Sequence, residues 1–178
     1  MIPHNKPTIG SEEIQAVARA LQNLELTIGT TVKEFEGAFS KFIGVGFAAT
    51  SSGTAALHLA LIVLGVQKDD EVILPSYTCI AVALPVLYQQ GKPILADITD
   101  DYNISVEDIR KKITDKTKAV ILPHIFGYPA DLDEIKELCE KNDIYLIEDC
   151  AQASGATYHG KKLEVLATFQ SLVFMPQK

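Results

Sequence analysis

The apolar and polar residues of this chain alternate between two patterns. Four short runs are almost continuously apolar, which is typical of strands covered on both faces of a sheet. Between them, apolar residues recur every three or four positions, as they do in amphipathic helices. The predicted strands are residues 71–75, 92–98, 118–127 and 144–150.

The predicted helices precede and separate these strands. The first two are 11–24, with Ser11 as its expected cap, and 31–44, which ends at Gly44. The stretch "FAATSSG" (47–53) is expected to carry the end of a strand that leads into a mostly apolar helix. The further predicted helices are 54–65, 78–91, 105–113 and 131–143.

Alternation of strands and helices with short connections indicates βαβ units and a mostly parallel sheet. We therefore predict a three-layer α/β/α domain. The 178 residues suffice for one domain with its own core. The pattern weakens after residue 156, which suggests a fragment or a partner that supplies what is missing.

Composition narrows the class of protein. A net charge of −7 argues against nucleic acid or an anionic membrane as the main partner. No basic segment leads into an apolar run at the start, and the apolar stretches are too short to span a bilayer. The cysteines lack CxxC spacing and the histidines are scattered, so we expect reduced thiols, a cytoplasmic protein and no metal site. The cysteines are Cys79, Cys139 and Cys150.

Three stretches fall where strands of an open α/β sheet end, which is where ligands bind in such sheets. The first, "SSGT" (51–54), combines hydroxyl groups, Gly53 and a helix start, and helix starts bind anions through their exposed N–H groups. The alternative is simple capping of the helix by Ser52 or Thr54. Taken by itself, this stretch favours the capping role.

The second stretch is Glu148-Asp149, and the third is Lys178 behind an apolar run. Solvated acids and a solvated terminal lysine are the alternatives. Taken together, the three stretches would suit pyridoxal phosphate. The helix start would hold its phosphate, Asp149 would pair with its pyridine nitrogen, and Lys178 would bond its aldehyde carbon.

Five stretches carry a resemblance to a known family. They are "IPHNKPTIGSEEIQAV", "SSGTAALHLAL", "DEVILPSYTCIA", "HIFGYPADLDEI" and "IEDCAQASGA". In this order they closely resemble the sugar aminotransferases of the DegT/DnrJ/EryC1/StrS family, which are fold-type I enzymes dependent on pyridoxal phosphate. The resemblance runs from residue 2 to about 162. It implies that residues 1–178 are the N-terminal part of the cofactor-binding large domain, without the C-terminal small domain.

The resemblance also implies roles for individual residues. Gly53 and Thr54 match the phosphate-binding turn of the family, next to the hydroxyl of Ser52 in the same anion site. Asp149 matches the partner of the pyridinium nitrogen, and Gln152 matches the residue that hydrogen-bonds the ring oxygen. Lys178 stands where the family has its cofactor-bonding lysine, in a motif similar to F-S-F-Y-P-T-K.

The implied reaction moves an amino group, usually from glutamate, to a nucleotide-linked keto-sugar. The implied assembly is a homodimer with the active site between its subunits. Gly29 lies in a segment that often approaches the neighbouring site. The partners expected from the resemblance are therefore an amino-acid donor, a nucleotide-sugar acceptor and a second copy of the chain.

Some positions depart from the family pattern. Cys79 replaces the aromatic residue that commonly stacks on the cofactor ring, and Val173 replaces a phosphate-binding serine. Family members are also about twice as long. These departures keep a second hypothesis open, namely a truncated or degenerate relative that binds a partner or ligand without turnover. His124 and Tyr77 could lie near the cofactor, but a satisfied strand-end histidine and a packing aromatic are at least as well supported.

Overall fold

The computed structural model describes residues 8–163 and 169–171. These residues form two compact units, divided between residues 49 and 50. Within the described ranges, no helix combines the length and the apolar character needed to cross a membrane.

The first unit, residues 8–49, is helical. It contains α1 (Ser11–Gln22) and α2 (Thr30–Ile43). The cap of α1 is Gly10 rather than the expected Ser11, and the Gly10 N–H donates to the Glu13 carboxylate at 2.7 Å. Ser11 instead starts the helix, because the glutamate three residues after Gly10 satisfies the exposed backbone donor.

The second unit, residues 50–163 with 169–171, contains the sheet. Its helices are α3 (Gly53–Val63), α4 (Ile80–Tyr88), α5 (Val106–Lys112) and α6 (Leu132–Lys141). Its strands are β1 (Glu71–Pro75), β2 (Lys92–Ala96), β3 (Thr117–Pro123), β4 (Tyr145–Asp149), β5 (Thr157–Tyr158), β6 (Lys161–Lys162) and β7 (Phe169–Ser171).

Five of these strands form a parallel sheet in the order β2-β1-β3-β4-β7, and β5 pairs with β6 in a separate antiparallel hairpin. In this register Pro123 lies opposite Asp149, so β3 and β4 end together. The ends of neighbouring parallel strands therefore meet at one edge, as the sequence predicted.

Side chains alternate between the two faces of the sheet. One face packs on α3 and α4 through Val72, Leu74, Ala119, Ile121 and Ile147. The other packs on α5 and α6 through Ile73, Val120, Leu122 and Leu146. This double coverage explains why the strands are continuous apolar runs.

The connections place the starts of α3 and α4 at the carboxyl edge of the sheet. Helix α3 ends at Val63 and β1 begins at Glu71, so a short connection reverses the chain and α3 runs against the strand direction. Helix α4 begins five residues after β1 ends and returns along the same face. Both helix N-termini therefore point toward the edge where the strands end.

Three predicted strand boundaries are wrong by more than one residue, and one of them is the end of β2, which lies at Ala96 rather than at 98. No strand is found at 47–50, because no described strand pairs with this segment and a strand requires a neighbour for its backbone groups. Strand β3 ends at Pro123 rather than at 127, because Phe126 adopts a left-handed conformation with φ of 55°. That conformation turns the chain out of the ladder.

Candidate functional site

The start of α3 offers backbone donors at the carboxyl edge. Ser52 is the N-cap, and its Oγ accepts a hydrogen bond from the Ala55 N–H at 3.1 Å. The capping role considered for Ser52 is therefore real. No described hydrogen bond engages the N–H groups of Gly53 and Thr54 or the hydroxyl of Thr54 within the second unit, so these donors are available to an anion.

Cys79 and Tyr77 lie in the connection between β1 and α4, at the same edge. Cys79 is the N-cap residue of α4, and its side chain is exposed. A ligand at this edge of the sheet could therefore reach it. Tyr77 is 45% exposed, and its ring contacts those of Tyr102 and Phe126 at centroid distances of 5.4 and 6.4 Å. Tyr77 therefore belongs to an aromatic cluster at this edge.

Asp149 ends β4 on the face that carries α3 and α4. It follows Ile147 by two residues, and the Ile147 side chain packs on that face. The Asp149 side chain is buried, and its Oδ1 accepts a hydrogen bond from the Ala151 N–H at 3.0 Å. Burial raises the pKa of this carboxyl above its ordinary value, although the hydrogen bond from Ala151 acts in the opposite direction.

Glu148 occupies the opposite face and has a different environment. Its carboxylate is fully buried, and its Oε2 lies 3.1 Å from Nε2 of the buried His124. The Ala130 N–H donates to Nδ1 of the same ring at 3.2 Å. Nδ1 is thus the acceptor, and Nε2 carries the hydrogen that is donated to Glu148. His124 is therefore a fully satisfied strand-end histidine, one of the two roles that the sequence left open.

A metal site is the other chemistry that this buried group could support. His124, Glu148 and Cys150 offer ligand atoms within 4.8 Å of one another. A metal would require the lone pair of a ring nitrogen, but Nδ1 already accepts from Ala130 and Nε2 carries a proton. The geometry fits a hydrogen-bonded pair between strand ends better than a metal centre.

Gln152 lies just beyond β4, in the turn that begins at Cys150. Its Oε1 accepts a hydrogen bond from the backbone N–H of Phe126 at 2.9 Å. The side chain is exposed, and no hydrogen bond of its Nε2 is described within residues 50–163. The amide therefore has a fixed acceptor and an available donor.

An open polar cleft lies elsewhere, between the β2–α5 connection and α6, with a volume of about 830 Å³. Its wall includes Arg110, which pairs with Glu134 at 3.0 Å, and several further acids. An excess of carboxylates disfavours a phosphate there. The start of α3 is the better anion site.

The structure thus brings part of the predicted site to one edge and one face of the sheet. Ser52, Gly53, Thr54 and Asp149 share that location, and Cys79 begins the neighbouring helix. Lys178 and Val173 lie outside the described residues. The residues present suit pyridoxal phosphate, because helix-start N–H groups without a described hydrogen bond match a phosphate and a buried carboxylate matches a pyridinium.

Asn103 is a buried residue of this edge that sequence reasoning missed. Its Oδ1 accepts from the Ile125 N–H at 3.1 Å, and its Nδ2 donates to the Tyr128 carbonyl at 3.2 Å. An asparagine in the polar run "DITDDYN" gives no signal that separates it from an ordinary turn residue. Only the contact across 22 residues reveals its role.

Comparison with known proteins gives consistent matches. The chain is 37% identical over 180 residues to GDP-perosamine synthase of Escherichia coli O157:H7, covering 99% of this chain and 50% of that protein. The structure of the aminotransferase TlmJ from Streptoalloteichus hindustanus matches with a TM-score of 0.94 and 32% identity, over 100% of this chain and 50% of that one. The structure of NtdA from Bacillus subtilis, with bound cofactor PMP, matches with a TM-score of 0.80 and 30% identity, over 88% of this chain and 37% of that one.

The chain spans about half the length of the curated relatives it matches. The matched structures confirm the predicted three-layer α/β/α fold of an aminotransferase large domain. A family model matches residues 7–178, almost the whole chain. The chain therefore belongs to the DegT/DnrJ/EryC1/StrS aminotransferase family.

Proposed function

We propose that this chain supplies the cofactor-binding part of a pyridoxal-phosphate-dependent aminotransferase. The amino group would move from an amino acid, most simply glutamate, to a nucleotide-linked keto-sugar. The observation that carries the proposal is Asp149, a buried carboxylate at the ligand-binding edge of the sheet.

The electrostatics of Asp149 support a cationic ligand. Its pKa is raised because burial outweighs the hydrogen bond from Ala151. A protonated pyridine nitrogen would supply the missing positive charge and a hydrogen bond. The carboxylate would then keep the ring nitrogen protonated.

The other residues would hold and orient the same molecule. The N–H groups of Gly53 and Thr54 and the Thr54 hydroxyl would bind its phosphate, and Gln152 Nε2 would donate to its ring oxygen. Cys79 would face the ring region from the start of α4. When bound, the cofactor supplies an electron sink for the carbon that gains or loses the amino group. We assign to Lys178 Nζ the covalent attachment of the cofactor and the proton movement at that carbon.

The family relatives support the proposed substrates. GDP-perosamine synthase is named for a nucleotide sugar, and NtdA is solved with bound PMP, the aminated form of the cofactor. We further propose a cytoplasmic homodimer in which a region near Gly29 approaches the neighbouring site, and in which residues beyond this large-domain part contribute to substrate binding.

Reductive labelling tests the proposal directly. The chain would be mixed with pyridoxal phosphate and reduced with borohydride, and the modified lysines would be mapped by mass spectrometry. We expect selective labelling of Lys178. In Asp149→Asn, labelling at low cofactor concentration should fall by at least about 30-fold, the scale for losing one partner of a buried charge pair.

Asp115→Asn changes an exposed acid just before the start of β3, at the opposite end of that strand from the candidate site, and should label like the wild type as the matched control. Scattered labelling of surface lysines, or equal labelling in Asp149→Asn, would contradict the assignment. Those results would favour the second hypothesis, a binding module without turnover.

A further inference from the structure

The connection between β3 and α6 is held by hydrogen bonds to Asp149 and Asn103 and by a bond within the connection itself. We call residues 124–130 the β3–α6 turn. The His124 N–H donates to the Asp149 carbonyl at 3.2 Å, and the Ala130 N–H donates to the His124 ring at 3.2 Å. Asn103 binds the Ile125 N–H and the Tyr128 carbonyl. Hydrogen bonds therefore fix the turn at its two ends, His124 and Ala130, and at Ile125 and Tyr128 between them.

This fixed backbone determines the direction of one N–H group. Phe126 adopts φ of 55° and ψ of 20°, a conformation that bulky side chains rarely occupy. Its side chain is 68% exposed, so burial of the ring does not explain the strain. The conformation directs its N–H to Oε1 of Gln152 at 2.9 Å.

That hydrogen bond determines which end of the Gln152 amide is available. A backbone N–H is only a donor, so the amide must present its oxygen to Phe126. Nε2 then points away from the turn with its hydrogens available. An unrestrained glutamine could present either end, because its amide rotates freely in solvent.

Gly127 provides a second, independent contact between the turn and Gln152. Its φ is 81°, and a Cβ at this position would lie 3.1 Å from the backbone carbonyl oxygen of Gln152. The two segments are thus in close contact at the main chain as well as through the side chain. A side chain at 127 would push directly on the residue whose amide is being oriented.

From these contacts we infer that the β3–α6 turn is the positioning element for Gln152. The turn fixes the amide so that its NH₂ group, rather than its oxygen, is offered to a ligand at the carboxyl edge. Phe126 and Gly127 act through Gln152 and are positioning residues. That the ligand atom is the ring oxygen of pyridoxal phosphate rests on the proposed function.

The first measurement compares affinities for pyridoxal phosphate and for its 3-deoxy analogue, which lacks the ring oxygen. The wild-type chain should prefer pyridoxal phosphate by roughly three- to tenfold, the scale of one hydrogen bond. Gly127→Ala should lose this preference although Gln152 is still present. Gly160→Ala is the matched control, because Gly160 also has a positive φ, of 76°, but nothing lies within 4 Å of an added Cβ.

The second measurement is hydrogen exchange of the Phe126 amide, which requires no cofactor. Gln152→Ala and Gly127→Ala should lose its protection, and Gly160→Ala should retain it. Gln152→Glu should also retain it, because a carboxylate still accepts from Phe126, yet this variant should lose the preference for the ring oxygen because it cannot donate. This variant keeps the inference testable if Gly127→Ala fails to fold.

The outcomes separate the two claims. Gly127→Ala could retain both the wild-type preference for pyridoxal phosphate over its 3-deoxy analogue and the wild-type protection of the Phe126 amide. That result would overturn the positioning role while leaving the proposed cofactor in place. Binding of neither compound to the wild type would overturn the proposed function for this chain, and hydrogen exchange would then decide alone whether the turn fixes the amide.

Discussion

Two adjacent acids at the end of β4 face opposite sides of the sheet and have different hydrogen-bond partners. Glu148 lies on the α5 and α6 face, fully buried and hydrogen-bonded to His124 at 3.1 Å. Asp149 lies on the α3 and α4 face, also buried, with a backbone N–H as its hydrogen-bond donor and a raised pKa. Burial is similar, so the difference between them is the partner.

The contrast shows how one strand end serves stability and ligand binding at once. A buried acid with a side-chain partner from the neighbouring strand ties the two strand ends together. A buried acid whose charge is poorly compensated costs stability until a cation arrives. Strand alternation separates the two roles by a single residue.

The largest expected effect comes from breaking the Glu148 side of this contrast. His124→Leu leaves the Glu148 carboxylate buried without its imidazole partner, and we expect a loss of about 3–5 kcal/mol in the free energy of unfolding. Urea unfolding followed by circular dichroism measures it.

The matched control is His159→Leu, because His159 pairs with Asp133 at 3.4 Å with both side chains more than 70% exposed. This variant should lose less than about 1 kcal/mol. Equal losses in the two variants would mean that burial does not distinguish the two pairs.

A smaller effect of opposite sign is expected on the Asp149 side. Because its folded pKa is raised above 3.8, the folded state binds the proton more tightly, and the contribution of Asp149 to stability is lost as the pH rises from 3.8 through the raised value. At pH 7 without cofactor, Asp149→Asn should therefore increase the free energy of unfolding by on the order of 1 kcal/mol, so that the variant unfolds at a higher urea concentration than the wild type. The amide oxygen can still accept from Ala151.

Addition of pyridoxal phosphate should reverse this order. The ligand stabilises the wild type by mass action and stabilises Asp149→Asn less. Urea unfolding between pH 4 and pH 7, with and without cofactor, gives the full comparison. A variant that is less stable than the wild type at pH 7 without cofactor would contradict the account of Asp149.

The smallest effects are expected at the start of α3, where one hydroxyl serves stability and its neighbour is expected to serve ligand binding. Ser52→Ala removes the cap bond to Ala55 and should cost about 0.5–1 kcal/mol of stability. Thr54→Val removes a hydroxyl with no described hydrogen bond and should change stability by less than about 0.5 kcal/mol. It should nevertheless weaken pyridoxal phosphate binding roughly three- to tenfold, measured by titration. Equal effects of both variants on binding would show that Thr54 has no separate role.

The helices and most strand cores were predictable because local periodicity reports burial directly. Strand β1 was predicted to the residue, and α2 to within one residue at each end. The segment 47–50 was mispredicted because strand formation depends on a partner that the local sequence does not specify. The end of β3 was missed because a left-handed phenylalanine has no compositional signal.

The candidate site divides in the same way. Ser52, Gly53, Thr54 and Asp149 were named because they stand at predicted strand ends, and Gln152 was named from motif resemblance. The structure puts the first four on one edge and one face. The sequence alone gave no signal that Glu148 pairs with His124, because both acids stand at the same strand end. Glu148 and His124 are 24 residues apart along the chain and come into contact only through the pairing of β3 with β4.

The sequence by itself determined the family, the α/β class and the positions of the chemically distinctive residues, because apolar periodicity and short motifs are local properties of the chain. The tertiary structure alone decided which acid is satisfied and which way the Gln152 amide points. The first depends on the parallel register of β3 and β4, and the second on the conformation of the β3–α6 turn. Both bring together atoms that are far apart along the chain, where local patterns carry no information.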